Sequence, residues 1–193
     1  MTKLSTLMLS ASIFISSAFF NLCFAQKLVP VGSAISFTSK QMGVNVEGSF
    51  KKFEAQVAFD PKKPDSGKIA FTIDLTSVDI GDAATMAELK KPGWFDSARA
   101  PAATFTSTGI KATGPGKFDI VGNLSIKGIS KPVTVPITLV QQGLPAGQTR
   151  ADGSFVIKRL EYKIGDGDWN DVSLIANDVQ VKLRLVFTGI ASL

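Results

Sequence analysis

Apolar and polar residues alternate with period two through most of this chain. Ile35 and Phe37 alternate with Ser36 and Thr38, Val44 and Val46 with Asn45 and Glu47, and Phe53, Ala55, Val57 and Phe59 with Glu54, Gln56 and Ala58. After the turn-forming stretch Asp60-Pro61-Lys62-Lys63-Pro64-Asp65-Ser66-Gly67, the residues Ile69, Phe71, Ile73 and Leu75 take up the alternation again. Spacing of this kind predicts antiparallel strands with one apolar face. The second half repeats it: a strand around Ala103 to Thr108, a turn at Thr113-Gly114-Pro115-Gly116, then Phe118, Ile120, Leu124 and Ile126 on one face. Val133, Val135, Ile137 and Leu139 form the next such face, a Gly-rich loop runs from Gln141 to Gly153, and Phe155, Ile157 and Val179 to Phe187 complete the series. Pro136 lacks a ladder donor and points to a sheet edge or bulge. The total is eight or nine strands, and the expected fold is all-β: a closed antiparallel barrel, because closure covers the apolar faces and removes the edges.

One stretch departs from period two. Residues 82–91 are rich in helix formers, place Ala83, Met86 and Lys90 at helical spacing and stop before Pro92-Gly93, so a short helix is expected there. A helix between strands can lid the end of a barrel, with Trp94 and Phe95 just beyond it at the rim. Met86, Leu89, Trp94 and Phe95 also fit an ordinary core, and both readings stay open. A barrel of about eight strands has an interior that either fills with side chains or holds one small ligand. Ten phenylalanines beyond residue 25, against a single tyrosine, Tyr162, make its inward positions large and without polar handles. If the interior is a lipid tunnel, strand parity puts Phe37, Phe53, Phe71 and Phe105 on its wall. Chain position puts Met42, Met86, Leu89, Trp94, Phe95 and Trp169 near its ends.

The N-terminus bears on where the protein works. Lys3 precedes an apolar run from Leu4 to Phe20, and Cys23-Phe24-Ala25 ends in a small residue, so residues 1–25 read as a cleaved secretory signal peptide. Residues 26–193 then form one domain, since no low-complexity linker or charge block divides them. The only cysteine is Cys23, within that leader, and the sequence contains no histidine. A chain without thiol or imidazole cannot run Ser-His-Asp or Cys-His catalysis and lacks the usual zinc and copper ligands. The net charge of +5, one of it from Lys3, is spread over lysines at alternate strand positions. That describes a solvated outer face better than a nucleic-acid patch.

Three local motifs are explained by turns and strands. Ser49-Phe50-Lys51-Lys52 matches S-x-x-K but has no S-D-N or K-T-G companion. Asp166-Gly167-Asp168-Trp169-Asn170-Asp171 opens like an EF-hand loop, yet Asp171 occupies the glycine position and Asn177 the final glutamate position. Asn123-Leu124-Ser125 fits a glycosylation sequon in the middle of a strand.

A set of ordered segments resembles the YceI-like family. They are Trp94-Phe95-Asp96 with Pro101-Ala102-Ala103-Thr104-Phe105, and Gly122-Asn123-Leu124-Ser125-Ile126-Lys127-Gly128-Ile129-Ser130-Lys131-Pro132-Val133. Ile35 to Lys40, Gly48 to Phe53, Phe59-Asp60-Pro61, Lys158-Arg159, Ile164 to Trp169 and Asn177 to Val181 extend the resemblance over nearly all of residues 26–193. Many family members have a histidine where Gln41 stands here, so a role for that histidine does not carry over. The resemblance implies a periplasmic, lipocalin-like barrel that carries an isoprenoid lipid, either a polyprenyl chain or a quinone tail, with no required cofactor, no metal and no catalysis. It leaves open a homodimer and transient contact with a membrane; no nucleic-acid partner is expected. Two alternatives stand beside it: a stress-response or structural interaction protein with a filled barrel, and a hydrolase using carboxylates such as Glu88 and Asp96.

Overall fold

Period-two segments become strands because each buries its apolar face against the same interior. The structure is a computed structural model that describes residues 26–193; the predicted leader and Cys23 lie outside the described residues. The elements are β1 (Lys27–Gln41), β2 (Val44–Phe50), β3 (Phe53–Ala58), β4 (Lys68–Asp74), β5 (Val78–Asp79), α1 (Ala83–Leu89), β6 (Ala102–Gly114), β7 (Lys117–Ile126), β8 (Ile129–Val140), β9 (Gln148–Lys158) and β10 (Asp178–Thr188). All ladders are antiparallel, and one ten-stranded sheet runs in the order β3-β4-β6-β7-β8-β9-β10-β1-β2-β5. No helix among the described residues is long and apolar enough to cross a membrane.

The expected closed barrel is instead a curled sheet whose hydrogen bonding does not run all the way round. Two local causes are visible. A single 3-10 turn at Leu75–Ser77, capped by the Asp74 carboxylate accepting from the Thr76 N–H at 2.8 Å, interrupts the strand after β4 and leaves β5 only two residues long. The chain also bends at Lys51-Lys52, so β2 pairs with β1 while β3 pairs with β4. Isolated contacts replace the missing ladder: a bridge between Gln26 and Val57, the Lys51 N–H to Ser77 O at 3.1 Å, and the Asp74 N–H to Lys52 O at 3.0 Å.

Pro136 occupies the last position of β8 before its ladder with β9 begins at Ile137, which makes it a local edge in an otherwise central strand. In β6 a bulge between Ser107 and Gly109 shifts the parity, so Ala103, Phe105 and Ser107 face inward before it and Ile110 after it. The buried Ser107 hydroxyl accepts the Ile69 N–H at 2.9 Å, one residue beyond the last β4–β6 pair, Ala70 with Thr106. Two strand glycines make room for inward rings: a Cβ at Gly48 would overlap the ring of Phe37, and one at Gly122 would overlap that of Phe105.

The predicted helix is present as Ala83–Leu89. Asp82 is its N-cap, accepting from the Thr85 N–H at 2.7 Å.

Candidate functional site

Antiparallel register fixes the two ends of the interior. One end gathers the β3–β4, β6–β7 and β8–β9 connections with the start of β1 and the end of β10. The other gathers the β1–β2 hairpin, the β7–β8 turn, α1 and the loop from Arg159 to Asn177. Between them lies a cavity of about 560 Å³. Its wall comes from alternate positions of every strand except β5, including Phe37 of β1, Phe71 of β4, Phe105 of β6, Ile120 of β7, Phe155 of β9 and Val181 of β10. Polar side chains border it only here and there, among them Gln41, Thr85 and Glu88.

Burial tells the two ends apart. At the first, Phe59, Ile110, Phe118, Leu139 and Phe187 border the cavity and are themselves buried. At the second, bordering residues Gln41, Ala84, Thr85 and Trp169 are exposed. A residue that is both cavity wall and molecular surface marks an opening, so the mouth lies beside α1, and its far end is blind.

The mouth is held by two cations that pair with backbone rather than with carboxylates. Arg159 is 1% exposed and donates all its N–H groups to carbonyls: Nε to Ala176 O at 3.1 Å, Nη1 to Ile164 O at 2.9 Å and Gly165 O at 2.7 Å, and Nη2 to Trp169 O at 2.8 Å and Ile175 O at 2.8 Å. Burial lowers its pKa, but a guanidinium so fully hydrogen-bonded stays charged. One side chain thus ties the 159–177 loop into a fixed rim. Lys127, half-buried at a left-handed position in the β7–β8 turn, donates to Pro92 O at 2.8 Å and Lys163 O at 2.6 Å. Burial pushes its pKa down while Asp96 and Asp166 push it up. Lys127 joins the segment after α1 to the 159–177 loop. The N–H groups of Gly165 and Asp166 donating to Gly93 O at 2.9 and 3.0 Å reinforce that junction.

Of the ten residues singled out in the sequence, seven border the cavity: Phe37, Phe71, Leu89, Trp94, Phe95, Phe105 and Trp169. Phe53 packs against the core without bordering it. Met42 is 71% exposed at the β1–β2 turn, and Met86 lies half-buried on α1, so both stand off the cavity. The only tryptophans of the chain, Trp94 and Trp169, pack together at the mouth with ring centroids 5.8 Å apart. Sequence reading missed Phe50, which links Phe37 (5.6 Å between centroids) to Phe95 (5.8 Å), and it missed the pair Phe59–Phe118. It also missed Arg159, although the inward parity of Phe155 and Ile157 continues to that position. The EF-hand-like aspartates serve local turns: Asp166 accepts from the Gly167 N–H and Asp171 from the Ser173 N–H, each at 2.8 Å.

The YceI-like domain model matches residues 27–187. The chain belongs to the YceI-like family. It is similar to Protein YceI of Escherichia coli O157:H7, with 36% identity over 135 residues that cover 67% of this chain and 70% of that one. Among solved structures it resembles Burkholderia cenocepacia BcnA, with 42% identity, a TM-score of 0.79, and 83% of this chain and 99% of that one covered. It also shares its fold with a polyisoprenoid binding domain from Saccharophagus degradans implicated in plant cell wall breakdown. The TM-score there is 0.69 at 18% identity, covering 86% of this chain and 99% of that one.

Proposed function

We propose that this protein is exported to the periplasm and there binds an isoprenoid lipid, a polyprenyl chain or the tail of an isoprenoid quinone, inside the curled sheet. The observation that carries this reading is the blind cavity of about 560 Å³ walled by phenylalanine and aliphatic side chains. That size falls within the roughly 300–1,000 Å³ of small-molecule sites. A filled barrel, the alternative reading, does not leave such a space. Transfer of hydrocarbon from water is worth ~0.8 kcal/mol per buried methylene, so a long apolar tail gains most from this wall and a polar solute least. Family membership and the fold shared with a polyisoprenoid binding domain support the ligand class. The leader-like composition of residues 1–25 supports export. Binding rather than turnover is the activity that a cavity wall without histidine or cysteine suits.

Mass spectrometry of an organic extract of the purified protein tests the proposal, with an isoprenoid as the expected species. Phe71→Asp places a carboxylate on the wall, where an unpaired charge is strongly disfavoured, and should empty the cavity; Phe71→Leu should keep the ligand. A folded Phe71→Asp protein that retains as much lipid as wild type, or a wild type that never yields any, defeats the reading.

A further inference from the structure

The cavity is open at one end and stopped at the other, and the stop is built from specific side chains. Phe59, just past β3, and Phe118, at the start of β7, meet edge to face with centroids 5.1 Å apart and an interplanar angle of 88°. Both border the cavity, at 9% and 4% exposure. Behind them the C-terminal tail crosses the same end: Gln141 Nε2 donates to Ala191 O at 3.0 Å, and Gln141 Oε1 accepts the Leu193 N–H at 3.2 Å. A chain entering from the mouth beside α1 therefore runs tail-first toward this pair and cannot leave past it.

We infer that the Phe59–Phe118 pair is a chain-length stop, the residues that set how much hydrocarbon the protein accepts. This rests on the lipid-binding reading above and adds to it a specificity rule. Each methylene that enters the cavity gains apolar contact, and each one beyond the stop stays at the mouth and gains nothing. Affinity across a homologous series should rise with length and then level off, and the level-off point should be fixed by where the two rings stand.

The test titrates farnesol, geranylgeraniol and solanesol into the whole protein, read by the emission of Trp94 and Trp169 at the mouth. Phe118→Leu and Phe59→Leu shorten the stop while keeping an apolar side chain. Each should move the level-off to a longer alcohol, with the affinity ratio of the longer to the shorter probe rising about fourfold per extra methylene housed. Ala151→Leu, on β9 where Ala151 faces Leu139 and Leu185 across the ladders near the blind end, should move it to a shorter one. That variant decides the question if the phenylalanine variants do not fold. Folded variants with the wild-type length profile overturn the stop while leaving lipid binding intact. A wild type that binds none of the three alcohols overturns the lipid reading itself, and the stop with it.

Discussion

Arg159 brings a full charge into an apolar interior, and no carboxylate lies within salt-bridge reach of it among the described residues. What makes this tolerable is the completeness of its hydrogen bonding: its donors meet carbonyls of Ala176, Ile164, Gly165, Trp169 and Ile175. Those carbonyls belong to a loop with little regular structure, so the guanidinium does for them what a ladder does for a strand. Arg159→Met keeps the apolar stem and leaves the carbonyls unpaired; stability should fall by about 3 kcal/mol or more, read as a lower urea midpoint. Arg159→Lys offers a point charge instead of a planar fork and should recover only part of that loss. Trp94 presents the reverse case. Its buried Nε1–H finds no partner among the described residues, and an unmade hydrogen bond costs ~1–3 kcal/mol. Trp94→Phe removes the orphan donor along with some ring contact, so a thermal melt should show a midpoint close to wild type, in contrast to the Arg159 variants. A fall in stability as large as that of Arg159→Met would mean that the indole N–H is satisfied in solution.

At the scale of elements, α1 stands apart from the strands. None of its residues is buried, yet Ala84, Thr85, Glu88 and Leu89 border the cavity. A helix of seven residues has little intrinsic stability, so its N-cap matters. The Asp82 carboxylate accepts from the Thr85 hydroxyl at 2.6 Å and the Thr85 N–H at 2.7 Å, and these bonds hold its pKa below the ordinary aspartate value. A lowered carboxylate pKa means that the cap is at full strength above ~3.9 and is lost as pH falls through the lowered value. Amide exchange in Ala83–Leu89 should therefore accelerate in acid for wild type, and Asp82→Asn, which caps without titrating, should flatten that dependence. The position of this helix was legible because helix formers run between an aspartate and Pro92-Gly93. Strand faces were equally legible wherever period two was unbroken, as at Phe37 and Phe71. Legibility ended where backbone geometry intervened. The bulge at Ser107 resets parity before Ile110, and the 3-10 turn at Leu75–Ser77 cuts a strand short without a proline or glycine to announce it. Met42 sits in the β1–β2 hairpin at the mouth end with its side chain 71% exposed, and pattern alone does not say how far a turn extends beyond the rim.

Across the whole molecule, the ring of hydrogen bonds that the strand pattern implied is replaced at one seam by a clasp. Gln26 forms an isolated bridge with Val57, its Oε1 accepts the Phe59 N–H at 2.9 Å, and its Nε2 donates to Gly189 O at 3.2 Å. One residue thus reaches the outer strand β3, the residue that forms half of the blind end, and the chain just past β10. It is also the residue that follows Ala25, where the leader is expected to be cut. Cleavage there leaves the clasp intact at the new terminus, whereas removal of even one more residue deletes it. On the export proposed above, intact mass of the mature protein should correspond to a chain starting at Gln26. Gln26→Ala should cost about 1 kcal/mol and should raise amide exchange in Phe53–Ala58 selectively, because those residues pair on one side only and rely on the clasp on the other. If β3 exchanges no faster in that variant than in wild type, the seam is held by Lys51, Lys52 and their partners alone. The blind end would then owe nothing to Gln26.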